Sequence, residues 1–454
     1  MLGFPATAHY AQAFEVLQRV GFTEAGIGQT LGREQILTMP TSDVPRVLGR
    51  TRALSPLDTL IRLFFLGLPV PQAAVRRALH PMPLDLWVQA HLLEPPDRED
   101  QLLPRVQIWP VCGLMMAVDL PWRQPTAPAA DFVVPPGPLT VELVQAMIHR
   151  PCSRMLDLGT GSGMLALAAA PDAETVVATD TNERALAFTQ FNARLNQIQN
   201  VHCLAGDLFD PVGSQRFQWI VCNPPFVISP TRRYLFRDSG QRGDEFCRRL
   251  IRAAVEHLEP GGFLQCTANV PHLTGRSWKA DLEAWFHDLG CDVLVLVERT
   301  EDASDYAMNW ILGTETKEQA LGGQRYQAWT EYLEREGIEA VSYLLITLRR
   351  SAAGTHWIQI DDPPCQIVGP CGDELLRFFE WRTAWSDPGR TADLLSRRLR
   401  LAPGIRIEQE YLMTADGLTL EHVRLKKTGG LRYPLAIHVN VARLLAGCDG
   451  SHTL

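Results

Sequence analysis

The sequence predicts an α/β protein whose central part forms a doubly wound, mostly parallel sheet between two smaller parts. Between residues 139 and 350, short apolar segments typical of buried strands alternate with amphipathic segments typical of helices. A glycine-rich turn follows the first of those strands. The length of 454 residues exceeds that of one ordinary domain, so two or three domains are expected.

The composition is that of a globular protein with a large core. Hydrophobic residues make up 46% of the chain and charged residues 21%, so disorder is not expected over most of its length. The longest apolar stretch, residues 54–75, contains Asp58, Arg62 and prolines, which make it too polar to span a bilayer. The N-terminus lacks a signal-peptide pattern, and the ten cysteines include no C-x-x-C pair. We therefore expect a soluble cytoplasmic protein with reduced cysteines.

The net charge of −8 lies in the middle of the chain. Residues 1–125 carry 11 basic and 11 acidic side chains, residues 351–454 carry 12 of each, and residues 126–350 carry the remaining 20 basic and 28 acidic ones. A protein that mainly binds a phosphate backbone usually has a basic surplus. The overall charge therefore does not favour nucleic-acid binding, although it is compatible with a local basic patch.

Residues 1–125 are predicted to form a mostly helical accessory domain. Helical spacing of apolar residues covers residues 10–20, 56–66 and 70–79. A strand-like segment with Gly113 inside it follows over residues 105–118. Helices followed by a hairpin resemble a winged-helix module, which would serve either in substrate recognition or as a packing cap on the next domain.

The middle domain, residues 126–350, follows a proline-rich linker. Six of the residues between 121 and 138 are prolines, which excludes a helix interior there. Seven strands are expected, over residues 154–158, 175–179, 201–204, 219–222, 263–267, 292–298 and 341–348. Helices are expected over residues 140–149, 164–170, 183–196 and 244–257, the last before a stop at 259–262. The last two strands should pair antiparallel and close one edge of the sheet.

Residues 351–454 are predicted to form a small α+β accessory domain. Two helices and a hairpin are expected, over residues 374–381, 392–399, 405–413 and 418–426, with the hairpin turn at residues 415–417. The aromatic residues Phe378, Phe379 and Trp381 are interpreted as its core. No residue of this part indicates catalysis.

A glycine-rich loop joins the first strand of the middle domain to the next helix. Asp157 is followed in this loop by Gly159, Thr160, Gly161, Ser162 and Gly163. Glycines let the backbone approach a ligand closely, and the free N–H groups at a helix start suit a carboxylate. A dinucleotide-binding loop would need glycine where Met164 stands, and a P-loop would need Gly-Lys-Ser/Thr. A simple tight turn remains the structural alternative.

Acidic residues follow the next two strands. Asp180 could accept hydrogen bonds from both hydroxyls of a ribose. Asp207 could accept one from the amino group of adenine, with Leu208 against the ring. Because the carboxyl ends of parallel strands meet at one edge of a sheet, both should lie beside the glycine loop. The pattern predicts a site for a nucleoside-bearing ligand.

The sequence Asn223-Pro224-Pro225-Phe226 directly follows the apolar strand at 219–222. The two prolines lack N–H donors and stiffen the backbone, so carbonyls and the asparagine amide point outward. The Asn223 side-chain oxygen and the Pro224 carbonyl can accept both hydrogens of a planar –NH2 group, while Phe226 covers its face. These bonds favour a tetrahedral nitrogen whose lone pair can attack a sulfonium methyl in line.

Together these motifs resemble the class I S-adenosylmethionine-dependent methyltransferases, in the branch that methylates planar nitrogens. Residues 206–211 and 238–244 are similar to the corresponding segments of the HemK/PrmC protein-glutamine N5-methyltransferases. The resemblance covers about residues 130–350. Ribosomal RNA guanine-N2 and adenine-N6 methyltransferases share a very similar motif, and the glutamine enzymes usually have tyrosine where this chain has Phe226.

The resemblance implies a seven-stranded, Rossmann-like methyltransferase sheet with S-adenosyl-L-methionine as cofactor. Asp157 and residues 159–163 would hold the methionine end, Asp180 the ribose, and Asp207 with Leu208 the adenine. The catalytic residues would be Asn223, Pro224, Pro225 and Phe226, and Asn223 would also contact the cofactor. Neither a metal ion nor a general base is required, since the proton of the acceptor can leave after methyl transfer.

Three interpretations of function remain. The first is methylation of a glutamine-type amide in a protein or peptide, and the second is methylation of an RNA or DNA base amine. The third is a non-catalytic S-adenosylmethionine-binding protein, which the intact motif at residues 223–226 disfavours. Arg232, Arg233 and Arg237 could contact an acidic or phosphate-bearing substrate and slightly favour the second interpretation. The acidic middle domain with neutral flanking parts favours the first.

Overall fold

The computed structural model describes most of the chain. The described residues are 2–33, 36–37, 43–120, 130–314, 323–351, 356–362, 364–385, 396–415, 417–433 and 435–453. The first half of the predicted proline-rich linker, residues 121–129, lies outside them, as do Asp416 of the predicted hairpin turn and residues 392–395 of a predicted helix. The second half of the linker, residues 130–137, has no helix or strand, in agreement with its prolines.

The N-terminal part consists of short helices followed by a hairpin. The helices are α1 (Thr7–Arg19), α2 (Glu24–Leu31), α3 (Val44–Arg50), α4 (Pro56–Leu60, continued by a π-helical turn at Ile61–Phe65), α5 (Gln72–Leu79) and α6 (Leu84–Gln89). The strands are β1 (Val70–Pro71), β2 (Gln101–Leu102), β3 (Val106–Val111) and β4 (Leu114–Asp119). The predicted hairpin is β3–β4, and it turns at Cys112 and Gly113, which both have positive φ. The winged-helix assignment stays a prediction.

The middle part is built on a large mixed sheet. Its helices are α7 (Pro138–Ala146), α8 (Met164–Ala169), α9 (Glu183–Leu195), α10 (Glu245–Glu256), α11 (Trp278–Glu283), α12 (Ala303–Thr314) and α13 (Gln324–Arg335). Its strands are β5 (Cys152–Leu158), β6 (Ala173–Asp180), β7 (Val201–Ala205), β8 (Phe217–Cys222), β9 (Leu258–Leu273), β10 (Cys291–Asp302), β11 (Ile338–Arg350) and β12 (Ile358–Asp361). The order across the sheet is β12-β10-β11-β9-β8-β5-β6-β7.

The parallel half of the sheet explains where a ligand can bind. Strands β5, β6 and β7 follow one another toward one edge, whereas β8 pairs with the opposite side of β5. The winding direction therefore reverses between β5 and β8. In open α/β sheets such a reversal leaves a crevice outside the carboxyl ends of the strands. The glycine loop after β5 and the Asn-Pro-Pro-Phe motif after β8 both lie at this crevice.

The last two predicted strands, β10 and β11, pair antiparallel as expected, but the sheet has more than seven strands and this pair does not close its edge. Eight strands are present in the described residues, and β11 lies between β9 and β10, antiparallel to both. Its side chains are buried along most of its length, and its backbone pairs with a strand on each side. The edge is formed instead by β12, which runs parallel to β10.

The stop predicted at residues 259–262 agrees with the end of α10 at Glu256, and these residues lie inside the strand β9. At Gly262 a Cβ would lie about 3 Å from the carbonyl oxygens of Phe217 and Gln218 in β8. Glycine is therefore needed at residue 262, because two strands approach each other closely there.

The C-terminal part is the predicted mixture of helices and strands. Its elements are β13 (Gln366–Val368), α14 (Gly372–Trp385), β14 (Arg398–Arg400), β15 (Ile405–Thr414), β16 (Gly417–Lys427), β17 (Gly430–Arg432), β18 (Leu435–Ala436), α15 (Val439–Ala446) and β19 (Asp449–Thr453). The predicted hairpin is β15–β16. The helix predicted over residues 392–399 is wrong at its described end, where β14 pairs with β19. Phe379 is buried as predicted, but Trp381 is 51% exposed.

The N-terminal part packs on the middle part through α9. Phe188 and Phe191 of α9 belong to the same apolar cluster as the N-terminal helices, and the Phe191 ring lies 5.6 Å from that of Tyr10.

Within the described residues, no helix has the length and apolar character that a membrane span requires.

Asn192 of α9 and Asn196, the residue directly after α9, extend the hydrogen bonding of the hairpin. The Asn192 side chain accepts from the Ala117 N–H (2.8 Å) and donates to the Ala117 carbonyl (3.0 Å) and the Ser162 carbonyl (2.9 Å). Asn196 pairs in the same way with both backbone groups of Met115. The N-terminal hairpin is thereby joined to the glycine loop, because Asn192 contacts both.

We expect Asn192→Ala to destabilise the protein by about 2–4 kcal/mol, because it leaves three buried backbone groups without partners. The midpoint of thermal unfolding measures this effect. Arg194→Ala, on the exposed side of the same helix, is the matched control and should change stability by less than about 0.5 kcal/mol. Equal shifts for the two variants would contradict the role of Asn192.

Candidate active site

A cavity of about 300 Å³ opens at the carboxyl ends of β5, β6 and β8. Most of the predicted site residues line it together: Gly159, Thr160, Gly161, Ser162, Asp180, Asp207, Leu208, Asn223, Pro224 and Pro225. Asp157, Gly163 and Phe226 are not among its lining residues. Residues that the sequence did not indicate complete the wall, among them Phe132, Thr140, Leu235, Phe236 and Phe246.

The glycine loop is shaped by backbone hydrogen bonds and by three left-handed glycines. The N–H groups of Gly159 and Thr160 both donate to the Thr179 carbonyl at 2.9 Å, which fixes the loop to β6. Gly161 has φ of 56° and Gly163 has φ of 91°, conformations that favour glycine. A Cβ at Gly163 would lie 2.8 Å from the Thr189 side chain, so glycine also allows α8 to approach α9.

Asp157 lies beneath this loop and is fully buried. Its Oδ2 accepts hydrogen bonds from the Thr160 hydroxyl (2.6 Å) and the Ala166 N–H (3.0 Å), while its Oδ1 has no partner among the described residues. Burial raises the pKa of the Asp157 carboxyl to about 7. The predicted contact of Asp157 with the methionine end stays a prediction, and its visible role is to hold the loop to the start of α8.

Asp180 both lines the cavity and holds the loop. Its Oδ2 accepts from the Gly161 N–H (2.9 Å) and its Oδ1 from the Asn182 N–H (2.8 Å). Burial raises the pKa of the Asp180 carboxyl, and these hydrogen bonds partly oppose that rise. Each carboxylate oxygen can accept a second hydrogen bond, so two oxygens remain able to bind a pair of hydroxyls.

Asp207 and Leu208 lie where the chain leaves β7. Asp207 is exposed at the mouth of the cavity. Leu208 has a backbone φ of 44°, which is rare for a residue other than glycine. A strained backbone of this kind persists only where the surrounding structure requires it, most often at binding sites. Both residues line the cavity, and their expected contact with adenine stays a prediction.

Two threonines anchor the Asn223 amide by hydrogen bonds at both ends. Its Oδ1 accepts from the Thr267 hydroxyl of β9, and its Nδ2 donates to the Thr140 hydroxyl of α7 at 2.9 Å. One lone pair of the oxygen and one N–H remain for a ligand. Neither threonine was predicted from the sequence, because they lie 83 and 44 residues away along the chain and belong to no motif.

Phe226 packs into the core rather than lining the cavity. It is 9% exposed, and its ring meets that of Trp310 edge-on at 6.4 Å. The apolar wall of the cavity near Asn223 is formed by Leu235 and Phe236 instead. The stacking role expected for Phe226 is therefore not supported by its position.

The predicted substrate contact of Arg237 is wrong, because this side chain is 1% exposed and points inward. It forms an ion pair with Asp238 at 2.7 Å, and its Nη1 donates to the Thr314 hydroxyl at 2.6 Å. Although burial opposes ionisation, hydrogen bonds from Arg237 and Ser229 keep the pKa of Asp238 below its usual value. Asp238 also lines the cavity.

Comparison with protein families identifies the class of the middle part. Residues 139–290 match the family model described as "Methyltransferase small domain". The flanking parts match two models described as domains of unknown function, DUF7059 over residues 19–103 and DUF7782 over residues 377–454. Most residues of the site described above lie in the region that matches the methyltransferase model.

The curated relatives that match the middle part are glutamine methyltransferases. The chain is 37% identical over 155 residues to the release factor glutamine methyltransferase of Geobacter sulfurreducens, covering 30% of this chain and 54% of the relative. It is 40% identical over 127 residues to the ribosomal protein uL3 glutamine methyltransferase of Bradyrhizobium diazoefficiens, covering 25% and 40%. The predicted resemblance to the S-adenosylmethionine-dependent, HemK/PrmC type is confirmed over this region. The chain spans about half the length of the first of these relatives.

A solved structure is similar at lower identity. The ribosomal protein L11 methylase of Lactobacillus delbrueckii subsp. bulgaricus matches with 23% identity and a TM-score of 0.25, over 36% of this chain and 69% of that one.

Among the described residues, no three histidine, cysteine, aspartate or glutamate side chains are grouped as a metal site requires.

We expect the affinity for S-adenosylmethionine to fall by about fivefold between pH 7 and pH 6. With its pKa near 7, the free Asp157 carboxyl is largely protonated at pH 6, and a cation bound at the loop favours the ionised form. Binding then releases a proton, whereas an α-ammonium group with a pKa of about 8 stays charged over this range. Titration calorimetry in two buffers of different ionisation enthalpy measures both the affinity and the number of protons released on binding.

Asp157→Asn is the control for this pH dependence. Its affinity should vary much less over the same range, because the amide does not titrate. An equal pH dependence in both proteins would show that another group is responsible.

Proposed function

We propose that the protein is an S-adenosylmethionine-dependent methyltransferase that methylates the side-chain amide nitrogen of a glutamine in a protein. The observation that carries this proposal is the position of Asn223: its oriented amide opens into the same cavity as the glycine loop and Asp180. The printed functions of the curated relatives, which methylate glutamines of release factors and a ribosomal protein, support this substrate class.

The residues of the cavity fit the cofactor. The loop residues Gly159 and Gly161 would accommodate the methionine end, since open space lies where their side chains would be. Asp180 would bind the ribose hydroxyls, and Asp207 with Leu208 would bind the adenine. The unpaired Oδ1 of Asp157 is an acceptor beneath the same loop. When bound, the cofactor supplies an electrophilic methyl group on a sulfonium.

Asn223 and Pro224 would position the acceptor nitrogen. An amide nitrogen is a poor nucleophile because its lone pair is delocalised. The free lone pair of Asn223 Oδ1 and the Pro224 carbonyl would accept its two hydrogens, which favours the geometry in which the nitrogen lone pair points at the methyl group. Holding two reactants in line contributes about 7–11 kcal/mol in favourable cases. The proton of the acceptor leaves after transfer, so no side chain needs to act as a base.

The threonines give the Asn223 amide a defined direction. The Thr267 hydroxyl donates to Oδ1 and the Thr140 hydroxyl accepts from Nδ2, so both ends of the amide are anchored. In this arrangement Oδ1 lies toward β9 and would accept from the acceptor nitrogen. The cytoplasmic location and a protein partner are part of this proposal.

The substrate class is tested with methyl-labelled S-adenosylmethionine and an extract from cells that lack the protein. The labelled product is divided and treated with protease or with ribonuclease before counting. Label that becomes soluble only on protease treatment supports a protein amide. Label that is released by ribonuclease would replace this proposal with methylation of an RNA base amine.

Asn223→Ala should abolish methyl transfer and leave the affinity for S-adenosylmethionine nearly unchanged, because Asn223 mainly orients the acceptor. Asp180→Ala should instead lower the affinity for S-adenosylmethionine, because the contact with the ribose is lost. Calorimetry and initial rates separate the two effects. A loss of cofactor affinity in Asn223→Ala as large as the loss of rate would contradict this assignment.

Thr267→Val keeps the shape of the side chain but removes the hydroxyl, so we expect kcat to fall by roughly 10²-fold as the Asn223 amide loses its orientation. Thr267→Ser keeps the hydroxyl and should retain most of the activity. The affinity for the cofactor should be the same in both variants. If the serine and valine variants lost activity equally, packing rather than hydrogen bonding would explain the effect.

A further inference from the structure

A second groove, which we call the arginine groove, adjoins the active-site cavity. Its volume is about 200 Å³, and Asp238 and Ser239 line both spaces. Its other polar lining residues are Ser229, Thr231, Arg232, Gln241 and Arg242, and the apolar ones include Val227 and Pro230. None of these residues has a role in the methyl transfer described above.

The charges of the arginine groove do not cancel. Asp238 is neutralised by the buried Arg237, and Arg242 forms an ion pair with Glu336. Arg232 is exposed, and among the described residues it has no hydrogen bond and no ion pair. One positive charge therefore faces the groove without a counterion from the described part of the chain.

The Arg232 side chain is also confined by the loop that carries it. Gly240 has a φ of 72°, and a Cβ built there would lie 3.3 Å from both Cδ and Nε of Arg232. The stem of the arginine thus crosses directly over this glycine. A side chain that is already confined loses less conformational entropy when it binds a ligand.

We infer that the arginine groove binds a carboxylate side chain of the polypeptide substrate, close in sequence to the methylated glutamine. Arg232 would contact the carboxylate through its guanidinium, which matches a carboxylate with two parallel hydrogen bonds. A single unbalanced arginine in an acidic domain favours one carboxylate over a phosphate backbone, which requires several cations. This inference rests on the proposed function and specifies its substrate.

The inference is tested with short synthetic peptides that contain one glutamine, flanked on either side by glutamate, alanine or lysine. With methyl-labelled S-adenosylmethionine, we expect at least one glutamate peptide to have a KM about fivefold to tenfold below that of its alanine counterpart, with a similar kcat. The lysine counterpart should have a higher KM than the alanine peptide. A preference expressed in KM indicates binding rather than orientation of the reacting atoms.

Variants of Arg232 show whether the groove causes the preference. Arg232→Ala should remove the difference between the glutamate and alanine peptides, and Arg232→Glu should reverse the order of glutamate and lysine peptides. Both variants should methylate the alanine peptide as the natural protein does. Arg252→Ala, which removes an exposed arginine of α10 outside the groove, is the matched control and should keep the preference.

The outcomes separate this inference from the proposed function. Methylation of all the peptides with equal KM would overturn the inference and leave the proposed function intact. Absence of methylation from every peptide would overturn the proposed function, and the inference with it. Inhibition by oligouridylate that Arg232→Ala relieves, without any preference among peptides, would assign the groove to a phosphate and overturn the inference.

Discussion

The buried carboxyl of Asp157 is the interaction on which the cofactor side of the site depends. It joins the end of β5, the glycine loop and the start of α8 through hydrogen bonds to Thr160 and Ala166. Removing this carboxyl from water disfavours its ionised form and raises its pKa to about 7. The loop is thus held by a side chain whose ionisation is sensitive to its surroundings.

The acceptor side depends on elements that are distant in sequence. Asn223 follows β8, but its amide is oriented by Thr267 in the middle of the long strand β9 and by Thr140 in α7. The arginine groove lies next to the active-site cavity, on the loop that contains the buried ion pair of Arg237 and Asp238. A buried ion pair contributes little net stability, since the attraction is offset by desolvation. Its visible effect here is to fix the loop that lines both spaces.

The N-terminal part is connected to the cofactor side as well as packed beside it. Asn192 of α9 bonds both backbone groups of Ala117 in the hairpin and the Ser162 carbonyl in the glycine loop. A displacement of the hairpin would therefore reach the loop through one side chain. This connection favours the packing-cap interpretation of the N-terminal part, because the same side chain contacts the hairpin and the glycine loop.

The sequence alone determined the alternation of strands and helices in the middle part, the glycine loop, and the acidic residues and Asn-Pro-Pro-Phe motif at the strand ends. These features follow from local rules, namely hydrophobic period, glycine and proline geometry, and the shared edge of parallel strands. Only the tertiary structure decided that β11 enters between β9 and β10, that Phe226 and Arg237 turn into the core, and that two threonines orient Asn223. Strand order, side-chain direction and long-range hydrogen bonds depend on which distant surfaces pack together, and a local pattern carries no information about that packing.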